Sequence, residues 1–107
     1  MLAAAFDNCR NAFSRHYDLA ARGIDSADVR AEYRLAACWA VEVAVKIGHF
    51  AYLAAGSDAL RNMEGRNRLQ RCFRDIHAGS QHRHTDHNII GDCGSVLLGA
   101  AKPDLAL

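Results

Sequence analysis

The chain contains a single proline, Pro103, and it follows every stretch that reads as ordered. No segment alternates apolar and polar residues with the two-residue period of a half-buried strand. With alanine the commonest residue, these absences exclude a β architecture and point to an all-α fold. Cysteine is sparse and scattered: Cys9, Cys38, Cys72 and Cys93 form no C-x-x-C pair. That spacing argues against a zinc ribbon or a redox dithiol and predicts buried, reduced thiols in a cytoplasmic protein. An excess of one charge is missing too, since 13 basic residues face 12 acidic ones for a net charge of +1. A fold-wide field for nucleic acid or an anionic membrane is therefore not expected. The arginines do cluster locally between Arg61 and Arg74, which suits a small anion. The opening "MLAAAF" is too short for a signal-peptide core, and no run approaches the length of a membrane span.

What is present is ordinary globular composition, 50% hydrophobic and 23% charged, in 107 residues. That length supports one core, so residues 1–107 are expected to form a single domain. Apolar residues recur in steps of three or four at Leu2, Phe6, Cys9, Phe13, Tyr17 and Ala20, predicting a helix over about 2–22 with Gly23 as its stop. Asp25 is placed to cap a second helix over about 26–55, with Asp28 in its first turn. Val29, Tyr33, Ala36, Ala40, Val43, Ile47, Phe50 and Ala54 form a bundle seam along it. Leu35, Cys38, Val41, Val45 and Tyr52 broaden that seam into a second apolar face. A helix of about thirty residues, about 45 Å long, needs partners on both sides.

Glycines 56 and 65 mark the turn that follows. Asn67 with Gln70 reads as a capping box for a third helix over about 68–82, cored by Leu69, Phe73 and Ile76. Thr85 is the expected N-cap of a fourth helix over about 85–98, facing inward through Ile89 or Ile90, Cys93, and Val96 or Leu97. Gly91 and Gly94 sit three apart and would admit a close helix neighbour. The expected architecture is an up-and-down four-helix bundle.

The stretch "RCFRDIHAGSQHRHTDH", residues 71–87, holds four of the six histidines. As a metal site it is poor: His82 and His84 are two apart, which places them on different helix faces, and only His84 and His87 share one. A di-iron bundle needs Glu-x-x-His pairs, and none of the three glutamates has a histidine three residues on. No metal is expected. Ser80 and Ser95 lack a nucleophile-elbow context, so serine hydrolysis is not indicated. Read from the residues alone, the stretch is a solvated helix face carrying an Arg71–Asp75 pair at i, i+4, with His77 and His84 turned to water.

Three segments together, "LAAGSDAL", "RLQRCFRDIHAGSQH" and "SVLLG", resemble the C-terminal domain of the acyl-CoA dehydrogenase superfamily, closest to its flavin-dependent monooxygenase branch of two-component hydroxylases. The pattern A-G-G, a loop, L-Q-R-x-x-R-D-x-H and a later His is met by Ala55, Gly56, Leu69, Gln70, Arg71, Arg74, Asp75, His77 and His82. The resemblance implies a four-helix bundle that assembles as a homo-oligomer, a dimer or dimer of dimers, with FMN or FAD lying against it. It implies His82 as the catalytic residue facing flavin and substrate, where a histidine can hold or relay a proton. It also implies Gly56 and Ser57 at the flavin phosphate or ribose, Arg74 and Asp75 as a structural ion pair, and a flavin reductase as a possible partner. Ser57 replaces the usual second glycine, and Arg68 a frequent proline. The dehydrogenase branch's catalytic glutamate has no counterpart, which favours oxygenation over acyl-CoA dehydrogenation. The family's N-terminal helical and middle β domains are not in this sequence. The alternative reading is a stand-alone, non-enzymatic helical self-association module.

Overall fold

The structure, a computed structural model, describes residues 1–61, 68–83 and 85–100. It is all-α, with four helices: α1 (Leu2–Ala21), α2 (Ala27–Ala55), α3 (Leu69–Ser80) and α4 (Asn88–Leu97), and a 3₁₀ turn, Gly56–Leu60, after α2. The expected helices lie within a few residues of these bounds.

Local chemistry sets the ends. Gly23 takes φ 73° and closes α1 in a Schellman arrangement: its N–H donates to Ala20 O, and Ile24 N–H reaches back to Leu19 O. The cap of α2 is Ser26, not Asp25, because Ser26 is extended and its hydroxyl accepts from Val29 N–H at 3.4 Å. Asp25 instead lies 3.3 Å from Arg30 Nε, an ionic contact too far off line to be a hydrogen bond. The proposed capping-box residue Asn67 lies outside the described residues; Arg68 stands at the N-cap of α3 without a side-chain bond.

α2 is the axis. Among the described residues, α1, α3 and α4 each pack on it and not on one another. α1 runs antiparallel to its N-terminal half, with Phe13 against Tyr33 and Arg15 bonded to Glu32. α3 runs antiparallel to its C-terminal half, where Tyr52 stacks on Phe73 at 4.4 Å. α4 continues in α3's direction: the Cys38 thiol faces Asp86 O at 3.8 Å, and Ala31 packs with Cys93 and Val96. α3 and α4 thus form one interrupted rod along α2.

Val29, Ala36 and Val43 of the seam are buried, as is Cys38 of the second face. Ala31, on neither stripe, is fully buried because α4 sits on it. On α1 the packing surface differs from the expected stripe. Ala5 is 0% exposed, whereas Phe6 is 62% and Tyr17 64% exposed. The small residue permits close approach to α2, and the bulky stripe stands about a quarter-turn away, touching α2 only at its edge. A Cβ built on Gly91 or Gly94 meets nothing within 4 Å, so the close approach expected there is absent among the described residues. It occurs at Gly48, where an added Cβ would lie 3.2 Å from Ile76 Cδ1.

Contrary to the sequence expectation, Ala27–Leu60 is long and apolar enough to cross a membrane by length and composition alone. Between Cys38 and Ala55 it carries only Glu42 as acid and Lys46 as base besides His49. The core helix of a soluble bundle meets the same measure, and the N-terminal half of α2 is covered by α1 and α4.

Candidate functional site

The histidine-rich stretch begins on α3 and ends in the joint between α3 and α4. α3 stops at Ser80, whose hydroxyl donates to His77 O at 2.6 Å. The chain then turns tightly: His82 N–H donates to Gly79 O, and the N–H groups of Thr85 and Asp86 both donate to His82 O. Thr85 is not the helix cap. Its hydroxyl donates to Gly79 O at 3.1 Å and pins the joint to the end of α3. α4 starts three residues later, where the Asp86 carboxylate accepts from Asn88 N–H.

These bonds divide the histidines. His77 does not face water: its Nδ1–H donates to Phe73 O at 2.8 Å, and its ring lies 4.3 Å from Phe73. With Tyr52 on the other side of Phe73, His77 belongs to an aromatic stack that locks α3 onto α2. His87 is exposed and pairs with Glu42 at 3.2 Å, linking the start of α4 to α2. His84 lies outside the described residues. His82 is also exposed, and it stands at the rim of an open cleft of about 440 Å³ between α2 and α3. The other walls are Val41, Ala44, Ile76, Gly79 and Thr85.

That cleft is almost wholly apolar. A second one, of about 260 Å³, adjoins it and is charged, with Glu42, Lys46, Ser80, Gln81 and His87 around Val41, Val45 and Thr85. Val41 and Thr85 line both. The apolar cleft therefore suits a flat hydrophobic group, with one imidazole able to take or give a proton at its edge.

Gly56 and Ser57 are not brought to this place. Gly56 has φ 60° and ends α2, so glycine is favoured there on conformational grounds. Its N–H already donates to Leu53 O. It follows Val41 by fifteen residues of helix, about 22 Å at the usual rise. One isoalloxazine ring cannot touch both. Arg74 and Asp75 do not pair either, since adjacent helical residues diverge by about 100°. Asp75 pairs with Arg71 at 3.6 Å, both largely exposed.

Among the described residues no three His, Cys, Asp or Glu side chains converge as a metal-binding group. Burial pushes the Cys38 thiol up to about 11, with smaller contributions from Cys93, Glu42 and Asp86. Burial likewise raises Cys93. Both are structural thiols of the α2–α4 contact.

Sequence reasoning placed His82 but missed the cleft behind it. Val41 was assigned to a packing face, while Ala44 and Gly79 carried no signal, because a cavity is made by residues that are small where two helices diverge. A third cleft, of about 530 Å³ between α1 and α2, was also missed; Asn8, Asn11, Arg15, Glu32 and Trp39 line it. Its trace in the sequence is the polar stripe Asn8, Asn11, Arg15 opposite the aromatic one on α1.

Residues 1–87 match the family model for the acyl-CoA dehydrogenase C-terminal domain. No curated protein matches the chain, and no solved structure does.

Proposed function

Given that the chain belongs to the acyl-CoA dehydrogenase C-terminal domain family, we propose that it forms one wall of the flavin and substrate site of a flavin-dependent oxidoreductase, of the monooxygenase type. The observation that carries this reading is the apolar cleft with His82 at its rim. The residues fit the group: a flavin ring is flat and aromatic, and Val41, Ala44 and Ile76 offer it an apolar face. FMN or FAD, when bound, supplies the redox chemistry. This chain's share is to exclude water with the apolar wall and to hold or move a proton at an imidazole nitrogen of His82. The fixed turn around His82, with its carbonyl accepting from two N–H groups, sets where that imidazole can stand.

Gly56 and Ser57 serve a different flavin from the one at this cleft, bound by a second copy of the chain. The separation along α2 supports that reading, and only the exposed Ser57 hydroxyl is offered to a phosphate, since Gly56 N–H is taken. Homo-oligomer formation is supported by the bulky apolar residues left exposed, Phe6, Phe13 and Tyr17 on α1 and Phe50 and Leu53 on α2. Two-fold pairing is the commonest way to cover such a surface.

The decisive experiment grafts this domain onto a related two-component hydroxylase, with a reductase supplying reduced flavin. His82→Ala lowers turnover there by roughly 10²-fold, the contribution of a general acid or base, while leaving the helical content intact. Turnover equal to that of the unmutated graft would reduce His82 to a surface residue and favour the self-association module.

A further inference from the structure

Two glycines lie along the α2–α3 contact, and they are there for different reasons. Gly48 on α2 is a packing glycine: a Cβ there would press on Ile76 Cδ1 at 3.2 Å. Gly79 on α3 has no such reason. Its φ is not in the left-handed region, and a Cβ built on it meets nothing within 4 Å. Gly79 sits in the exposed last turn of α3, one residue before its end at Ser80, where glycine still loses more backbone freedom on folding than alanine does. Among the described residues, neither a left-handed backbone nor a packed neighbour calls for it.

The space that a side chain at 79 would enter is the apolar cleft. Ile76 and Gly79 are three apart on one face of α3, and both line that cleft, so a Cβ at 79 projects the way Ile76 does. Ala44 of α2, the next smallest of the lining residues, lines the same cleft. The backbone of Gly79 cannot move aside, because its carbonyl accepts from both His82 N–H and the Thr85 hydroxyl.

We infer that Gly79 is a specificity-determining residue: its missing side chain leaves open a part of the cleft lined also by Ala44, Ile76 and His82, so that the cleft admits a flat apolar ring. The inference rests on the reading of the cleft as a ligand wall, but not on the ligand's being a flavin. A ring of that kind gains from burial against Val41 and Ile76 without needing a hydrogen bond from the floor. A single added methyl group at position 79 takes up part of that space.

The full chain, isotope-labelled, is titrated with indole as the probe and followed by NMR at the Ile76 δ-methyl and the His82 ring. Indole shifts both signals. Gly79→Ala weakens that binding by about tenfold or more, as a misplaced methyl group in an apolar pocket does, while its thermal unfolding midpoint stays equal or rises. Gly91→Ala, at an exposed helical glycine lining neither α2–α3 cleft, leaves the indole affinity unchanged. Equal indole affinity in Gly79→Ala and the parent chain overturns the inference. So does a parent chain whose Ile76 and His82 signals stay still up to the solubility of indole. A lowered unfolding midpoint in Gly79→Ala overturns it as well, because the added methyl then meets protein rather than open space. Failure of the flavin reading in the grafted hydroxylase leaves this titration untouched, so the two ideas fail separately.

Discussion

The two halves of α2 carry the same seam and meet different fates. From Val29 to Val43 the seam is buried at Val29, Ala36 and Val43 and half-buried at Tyr33 and Ala40, with α1 and α4 packed along it. At Phe50 it emerges, 73% exposed beside Leu53 at 64%, and among the described residues α3 and the 3₁₀ turn after α2 are what pack near this end. Nothing in residue type separates the halves. The N-terminal half is flanked by two antiparallel neighbours, and the C-terminal half reaches past the start of α1. An apolar heptad pattern therefore marks where a partner is wanted, and the partner need not come from the same hundred residues. The apolar cleft with His82 at its rim sits where these regimes meet, at the end of α3 and beside Val41 and Ala44.

Placing a carboxylate in each half separates them most sharply. Val43→Asp buries an unpaired charge at a side chain that is 1% exposed, at a cost of several kcal/mol. A small domain has only about 5–15 kcal/mol to lose, and the expected result is loss of the cooperative thermal transition in circular dichroism. Phe50→Asp leaves that transition in place and instead lowers the mass in sedimentation at micromolar concentration. If the parent chain sediments only as a monomer, the exposed half is not a self-association surface.

The thiols sharpen the contrast with a smaller effect. Cys38 and Cys93 are buried under α4, whereas Cys72 on α3 is exposed. Alkylation of the native chain at neutral pH, read by mass spectrometry, modifies Cys72 and spares both buried thiols until denaturant is added. The raised Cys38 value also has a consequence for stability. The unfolded thiol ionises near its ordinary value of 9.0 and the folded one only near 11. The unfolded chain thus binds fewer protons between those values, and stability falls as pH rises through that window. Cys38→Ala lessens this alkaline slope, leaving the part that the likewise raised Cys93 contributes, and urea titrations at pH 8 and pH 10 measure the difference.

The smallest effect belongs to the surface of α3. Arg71→Ala breaks the pair with Asp75, whose partners are 81% and 71% exposed, and shifts the unfolding free energy by less than about 0.5 kcal/mol. A loss above about 1 kcal/mol would mean that the pair does more than decorate a solvated face.

The helices themselves were legible. Period, alanine content and the glycine stop at Gly23 are properties of consecutive residues, and α1, α2, α3 and α4 appear within a few positions of expectation. Which face of a helix is covered was less so. On α1 the aromatic stripe is the more apolar one, yet Ala5 makes the buried contact, because interhelical distance rewards small side chains and hydropathy does not measure distance. His77 shows the same limit: it reads as a solvated histidine until it packs on Phe73, which Tyr52 of α2 holds in turn, and bonds to Phe73 O.

The order of the residues alone determined the all-α class, the long central helix and the family resemblance, since each depends on local pattern. Only the tertiary structure decided that α4 runs on in α3's direction, that His77 packs while His87 pairs with Glu42, and that Gly56 stands far from the cleft. It alone decided that Val41, Ala44, Ile76 and Gly79 enclose a space. The physical reason is that a cavity and a cross-helix contact are set by how far apart two axes lie and how they are turned, and no stretch of one chain encodes either quantity by itself.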